Sequence, residues 1–510
     1  MKSQIKNKFV KNITDAHSWL GLIISIALFA VFWAGAISLF KNELELWASA
    51  PHVQISDGNT NLSYSEIFAR QVAENDFNND EHIAIMPANA QHPWHKVYVD
   101  LMPDENGQEQ IIALMIDPTT GQSIGQLDSF NLVNFLYQFH YTLSLPAGVY
   151  IVGVITLIFC FLLFSGIFIH AKKLFKNFFT YRTNSNKRDQ LLDLHNVIGV
   201  ISLPFTLMFA LTGLILNIVI VYQIVYALIV YQGDQQKLLA DAGFPQVNQP
   251  ASEIPMGMEK IDELVAFVEN KYEKKAGFIQ VNHYGDENAY LRIIGEIDTN
   301  FTPRFEVYYS LKDFKALYLV DENHRNITRD GVDVLVRLHY ANFASLSLKI
   351  LYFILALGVC ALIIAGNILW LNKREKQSKK NTFDYIIAKL TLGGCSGIIV
   401  STAVAFGAER FLPFTMFNRA NIVESTFFYT WLVAALLAFP SRSYQHYLKW
   451  SLRVAAAFFI LVGTSDWWLG MLTDMQFDYI YSSFWGIQCS FFILATIGLL
   501  TSRKFKHTIG

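Results

Sequence analysis

The run from Val149 to Ile169 contains no charged side chain. A bilayer is crossed by roughly 20 apolar residues in a helix. In lipid each backbone polar group must be satisfied within the segment, so a helix is the form such a run takes. His140 precedes the run, His170 closes it, and His195 opens the next apolar run. If residues 140–170 formed one continuous helix, the two imidazoles would lie about 45 Å apart. The hydrocarbon core is only about 30 Å thick. These two histidines are therefore expected near opposite membrane faces.

The rest of the chain extends this pattern. It has 510 residues, 16% of them charged, and a mean hydropathy of +0.29, the profile of a polytopic membrane protein. A net charge of −2 names no partner, and no nucleic-acid partner is expected. Cys160, Cys360, Cys395 and Cys489 all fall in apolar runs without a CxxC pair, which argues for packing rather than disulfides or zinc. The N-terminal apolar stretch, Trp19–Phe40, exceeds the roughly 7–15 residues of a signal-peptide core and predicts a retained span.

Basic residues set the orientation. Lys172, Lys173, Lys176, Arg182, Lys187 and Arg188 fill one short loop, and Lys373, Arg374, Lys376, Lys379 and Lys380 fill another. Both loops are expected in the cytoplasm. Eight transmembrane helices with both termini cytoplasmic satisfy these loops. The predicted order is a cytoplasmic tail (1–16), the first span (17–40), an outer insertion (41–138), and a hairpin of the second and third spans (139–230). A second outer insertion (231–338), the fourth span (339–372) and a basic loop (373–384) follow. Four more spans (385–502) and a tail (503–510) end the chain. The last four apolar runs centre on 385–408, 423–440, 451–471 and 482–501.

Each insertion has α+β character. Ser63–Ala73 predicts a helix capped by Ser63 or Ser65, followed by strands at Val97–Asp100 and Ile111–Ile116 around the Pro103–Gly107 turn. Lys260–Tyr272 predicts a second amphipathic helix. Strands are expected at Phe278–Val281, Ala289–Ile294, Arg304–Tyr309 and Ala316–Val320. The helix-then-sheet order recurs as a weak internal repeat.

Several motifs carry a family resemblance. H-S-W-L-G-L and F-K-N-E-L-E-L-W lie within His17–Trp47. S-G-I-F-I-H and F-F-T-Y-R lie within Ser165–Arg182. L-D-L-H-N-V-I-G-V and L-P-F lie within Leu192–Phe205, and L-H-Y-A-N-F and L-W-L-N-K-R within Leu338–Arg374. In this order the chain resembles the PepSY-associated transmembrane-helix family of bacterial inner-membrane proteins. Asp117–Gly125 is similar to the end of a PepSY domain, a small periplasmic α+β module. The resemblance implies an all-α polytopic membrane protein with two periplasmic PepSY-like α+β insertions. Its characterised members include ferric-siderophore reductases that bind b-type haem. Many relatives have histidine after L-P-F, where this chain has Thr206, so no role is carried to that position.

Histidines at span ends are costly and usually functional. Haem b takes one or two axial nitrogens, and paired imidazoles suit electron transfer. His140 and His339 both precede spans at the outer face and form the expected pair for an outer haem. His17, His170 and His195 fall at the inner face, where His170 with His195 is the favoured pair and His17 a third candidate or a supporting donor. The expectation is two haems that carry electrons across the lipid bilayer to a ferric siderophore or other ferric chelate. No dinucleotide fingerprint is present, so a separate donor, quinol or a cytoplasmic reductase, is implied.

Other features are weaker. His92-Pro93-Trp94-His95, with His82 and His52 near it, has no recognised ligand spacing and predicts a solvated loop. Glu409-Arg410 predicts an ion pair at the membrane edge, and Asp466 is expected to face water or a neighbouring helix. Two rival functions stay open. A redox-free iron or siderophore transporter needs ionisable groups in mid-span. A PepSY-based regulatory scaffold needs insertions that bind a partner on their own.

Overall fold

A computed structural model describes residues 2–49, 62–89, 92–171, 181–296 apart from 246 and 248, 304–375, 382–469 apart from 442, and 478–504. Lys172, Lys173, Lys176, Lys376, Lys379, Lys380, Arg442 and His52 lie outside the described residues. Among those described, seven helices are long and apolar enough to cross a membrane. They are α1 (Lys2–Ser38), α5 (Gly148–His170), α7 (Leu203–Val230), α11 (Leu346–Glu375), α12 (Thr382–Phe411), α13 (Arg419–Ala438) and α16 (Asp478–Lys504). Helix α1 runs unbroken through the expected tail into the first span. The expected span at 451–471 is not one helix. Helix α14 (Tyr444–Gly463) carries Lys449 and Arg453 and stops at Thr464, and the short α15 (Ser465–Leu469) follows.

The chain between His140 and His170 is also broken. Helix α4 (Leu132–Thr142) ends where Leu143 and Ser144 adopt left-handed conformations, and Ala147 does the same before α5 starts. Pro146 lies in this turn and cannot donate to a continuing helix. The condition for a 45 Å separation, one continuous helix over 140–170, is therefore not met. Helix α4 instead packs against both α1 and α5.

Helix α1 is the axis of the bundle, touching α4, α5, α11 and α12. Phe29, Ala30, Ala34, Phe139 and Ala403 are fully buried around it. Small side chains let helix backbones approach closely in lipid, where packing rather than the hydrophobic effect drives association. In the C-terminal half, α12 packs on α13 and α14, and α14 on α16.

Glu409 and Arg410 do not pair with each other. Adjacent residues on a helix point in different directions. Glu409 accepts from Arg419 at 3.3 Å, and Arg410 pairs with Asp466 on α15. These buried ion pairs close the C-terminal helices over α2 (Lys41–Ser49), whose Trp47 carbonyl accepts from Arg410 at 3.3 Å.

The two insertions do not form separate modules. Their strands make one antiparallel sheet of eight, in the order β4-β3-β2-β1-β5-β6-β7-β8. The first insertion gives β1 (His82–Met86), β2 (His95–Leu101), β3 (Gln110–Ile116) and β4 (Ser123–Gln126). The second gives β5 (Ala276–Asn282), β6 (Tyr290–Gly295), β7 (Glu306–Ser310) and β8 (Ala316–Val320). The seam is β1 against β5, with Ile83 opposite Val281 and Ile85 opposite Ile279. Those side chains, with Val97, Val99, Leu291 and Val307, form a core under α3 (Tyr64–Glu74) and α9 (Ile261–Tyr272). Period-two alternation puts them on one face.

Ser63 caps α3 through a capping box with Glu66. Asp262, from the other insertion, accepts from the Tyr64 and Ser65 amides at 2.7 and 3.0 Å. The same helix N-terminus is thus capped by both insertions.

The His92–His95 segment is not the solvated loop expected. Trp94 is buried in the core of the membrane bundle together with Met115. The Ala88 amide donates to His95 Nδ1 at 2.8 Å. Lys96, next in the chain, pairs with Glu45 on α2. The motif is an anchor that seats the sheet on the helices.

Candidate functional site: two clusters of anchored histidines

His140 is on α4 and His339 on α10 (Ile327–Tyr340). Their ring centres are 6.0 Å apart. His140 Nδ1 donates to the Val31 carbonyl of α1 at 2.7 Å. His339 Nδ1 lies 2.8 Å from Thr212 Oγ1 of α7. The Thr212 hydroxyl hydrogen already goes to the Met208 carbonyl at 2.8 Å. The histidine is therefore the donor, and Nδ1 carries the proton in both rings. That leaves each Nε2 with a lone pair.

The second cluster has the same construction. His17 Nδ1 lies 2.8 Å from Ser165 Oγ of α5, and that hydroxyl donates to the Leu162 carbonyl at 3.0 Å. His17 is again the donor. His195, on α6 (Lys187–Ile201), donates from Nδ1 to the Leu362 carbonyl of α11 at 3.1 Å. Each cluster thus has one histidine held by a backbone carbonyl and one held by a hydroxyl. His170 closes α5 and is near enough to both His17 and His195 to interact with them electrostatically.

Glycine accompanies every anchor. A methyl group at Gly35 would lie 2.6 Å from His140 Cε1, and one at Gly366 would lie 3.3 Å from His195 Cε1. Both glycines come four residues after the carbonyl that holds the ring, one turn along the same helix face. Gly213 and Gly166 directly follow Thr212 and Ser165, and their added methyls would lie 3.6 Å from His339 and His17. The sequence reading found the histidines and missed these partners. The available signal was Ser-Gly and Thr-Gly inside otherwise apolar runs.

A cavity of about 340 Å³ surrounds the His140–His339 pair. Its walls are chiefly aliphatic and aromatic, including Leu28, Phe32, Val152 and Phe209. Tyr137, Tyr141 and Tyr340 also line it. Two imidazoles sharing one metal through bonds of about 2 Å each place their ring centres roughly 6 Å apart. The observed spacing meets that requirement, and fixing the second ring nitrogen is how metal-ligating histidines are usually oriented. The residues present fit a bis-imidazole iron site.

The clusters are closer than the sequence suggested. His17 and Val31 are fourteen residues apart on α1, about 21 Å of helix. Thr156, which lines the cavity around His339, and Ser165 beside His17 are nine residues apart on α5, about 14 Å.

Among the described residues, one further group could hold a metal. Glu81, His82 and Asp100, at the start of β1 and on β2, bring their ligand atoms within 4.8 Å of one another. His82 Nδ1 is 2.9 Å from Asp100 Oδ2.

The sequence profile described as the PepSY-associated TM region matches residues 14–373. That span holds all five histidines and both insertions, and stops before α12. An uncharacterized protein of Pseudomonas aeruginosa is 25% identical over 273 residues, covering 51% of this chain and 67% of that protein.

Proposed function

Because this chain belongs to the PepSY-associated TM family, we propose that it is a multi-pass electron-transfer protein of the bacterial inner membrane. It reduces a ferric siderophore or another ferric chelate at the periplasmic face. The observation that carries this reading is the matched anchoring of four histidines, each with Nδ1 within hydrogen-bond distance of a carbonyl or hydroxyl oxygen on a neighbouring helix, an arrangement that leaves Nε2 to ligate. In this reading the sheet lies in the periplasm, α14 completes eight spans, and both termini are cytoplasmic.

His140 and His339 hold the outer haem b. His17 and His195 hold the inner one, since they repeat the outer pair's anchoring, and His170 stands beside them. Haem bound at the two pairs supplies carriers that accept and release one electron at a time. The protein fixes their spacing, because α1 and α5 each contribute to both sites. It also excludes water with apolar walls. The chelated iron(III) takes one electron to become iron(II), which hard oxygen chelators hold far less tightly. Electrons come from a quinol or a cytoplasmic reductase.

The visible spectrum of the purified protein tests this. Two b-type haems per chain are expected, with ferric-chelate reduction when the donor is supplied. A colourless protein from cells given ample haem would sink the proposal.

A further inference from the structure

Lys41 begins α2, beside the sheet-side end of the cavity, close to the lining residues Ser38 and Leu39. Its ammonium is half-buried. It donates to Asn134 Oδ1 at 3.1 Å and sits 4.9 Å from the centre of the Tyr137 ring. Among the described residues no carboxylate lies within ion-pair distance of it. The two nearest along α2 are engaged elsewhere, Glu43 with Lys349 at 2.8 Å and Glu45 with Lys96. Burial lowers the Lys41 pKa, with Glu45 acting in the opposite direction. A half-buried cation held only by an amide and a ring face is incompletely compensated.

The neighbouring phenols add directionality. Tyr137 comes one helical turn before His140, and Tyr340 directly follows His339. Their hydroxyls hydrogen-bond to each other, joining α4 to α10. Two phenols in mutual contact use one hydroxyl hydrogen between them and keep the other for an outside acceptor. Burial and the Tyr340 contact raise the Tyr137 pKa, so it stays a donor at neutral pH. Lys41 lies against the Tyr137 ring, and Tyr137 and Tyr340 both line the cavity.

We infer that Lys41, Tyr137 and Tyr340 form an oxyanion site at the sheet-side mouth of the cavity, suited to a carboxylate. A cation and a phenol give a carboxylate two charge-assisted hydrogen bonds, the stronger class of such contacts. The site rests on the haem reading above. Two sources supply the same chemistry: a propionate of the outer haem, or an anionic arm of the ferric chelate positioned for the electron.

The test uses the full chain in detergent, as wild type, Lys41→Gln, Lys41→Arg and Tyr137→Phe. Haem content and the midpoint potential of the sheet-side haem are measured without substrate. KM is measured for ferric EDTA, an anion, and for a neutral ferric trihydroxamate. A propionate at the site predicts a more negative midpoint potential in Lys41→Gln. A chelate anion at the site predicts a KM for ferric EDTA raised about tenfold or more, with the neutral chelate unchanged. In either case Lys41→Arg restores most of the effect and Tyr137→Phe shows a smaller one. A haem-loaded wild type whose Lys41→Gln variant matches it in potential and in both KM values overturns the oxyanion site alone. A colourless wild type removes the haem reading and this site with it.

Discussion

At the scale of single residues, the anchors of the histidines make the sharpest predictions. His140→Ala and His339→Ala should each remove one haem and leave the other. His17→Ala and His195→Ala should remove the complementary one, while His170→Ala keeps both. Pyridine haemochrome analysis checks all five. The glycines should follow their clearances. Gly35→Ala should abolish the outer haem, Gly366→Ala should weaken the inner one, and Gly166→Ala and Gly213→Ala should be tolerated, because 3.6 Å is ordinary contact. The histidines were legible in the sequence because each stands at the border of a long apolar run, and all but His140 lie inside the motifs that carry the family resemblance. Their pairing was less so. A bond to a backbone carbonyl such as Val31 or Leu362 leaves no mark on residue type. Glu306 makes a separate prediction. It is fully buried on β7, and burial alone would raise its pKa, but Arg292, Arg304 and Arg329 outweigh this and hold it below the ordinary 4.5. A depressed carboxylate contributes stability above its unfolded pKa and loses it as pH falls through the folded one. The sheet should therefore weaken on acidification below about pH 4.5. Glu306→Gln at pH 7 should cost about 3 kcal/mol, because Arg329 is left buried without its partner. Thermal unfolding at pH 7 and pH 4 checks both.

At the scale of elements, the sheet shows what a linear reading can and cannot recover. Strands β2, β3 and β5 to β8 were visible as short apolar or alternating runs. Strand β1 was not, because His82–Met86 is brief and follows a polar Asn-Asp stretch. That missing strand is the one that joins the insertions, so two modules were expected where one sheet forms. Seam contacts join residues about two hundred positions apart, as Ile83 and Val281 do. No local signal announces such pairing. The break before α5 was hidden for a different reason. Pro146 and Gly148 mark a turn there, but the left-handed residues are Leu143, Ser144 and Ala147, none of them glycine, so the sequence does not show how sharply the chain folds back. The seam can be probed at Asp262, which caps α3 across it. Asp262→Ala should destabilise the sheet by about 1 kcal/mol. It should also speed amide exchange at Tyr64 and Ser65, in the insertion that does not carry the substitution. Exchange confined to α9 would contradict a shared cap.

At the scale of the whole molecule, the break before α5 sets how far an electron would travel in the proposed relay between the clusters. A continuous helix over 140–170 would have set the imidazoles about 45 Å apart, too far without an intermediate carrier. With α4 turned back against α1 and α5, the positions on those helices that border the two clusters are offset by only about 14–21 Å. One rigid frame, α1 with α5, then sets both sites, so the relay should work as a unit. Removing the inner haem alone tests this directly. In His195→Ala, the outer haem should still form, keep its potential and be reduced by dithionite, which reaches it from the sheet side. Quinol, or the cytoplasmic donor, should no longer reduce it, and donor-driven reduction of the ferric chelate should fall at least a hundredfold. His339→Ala should show the mirror image: the inner haem is reduced by the donor at the normal rate and holds its electron in the presence of ferric chelate. Rapid donor-driven reduction of the outer haem in His195→Ala would mean that electrons enter on the sheet side. The two clusters would then be independent centres rather than the ends of one path.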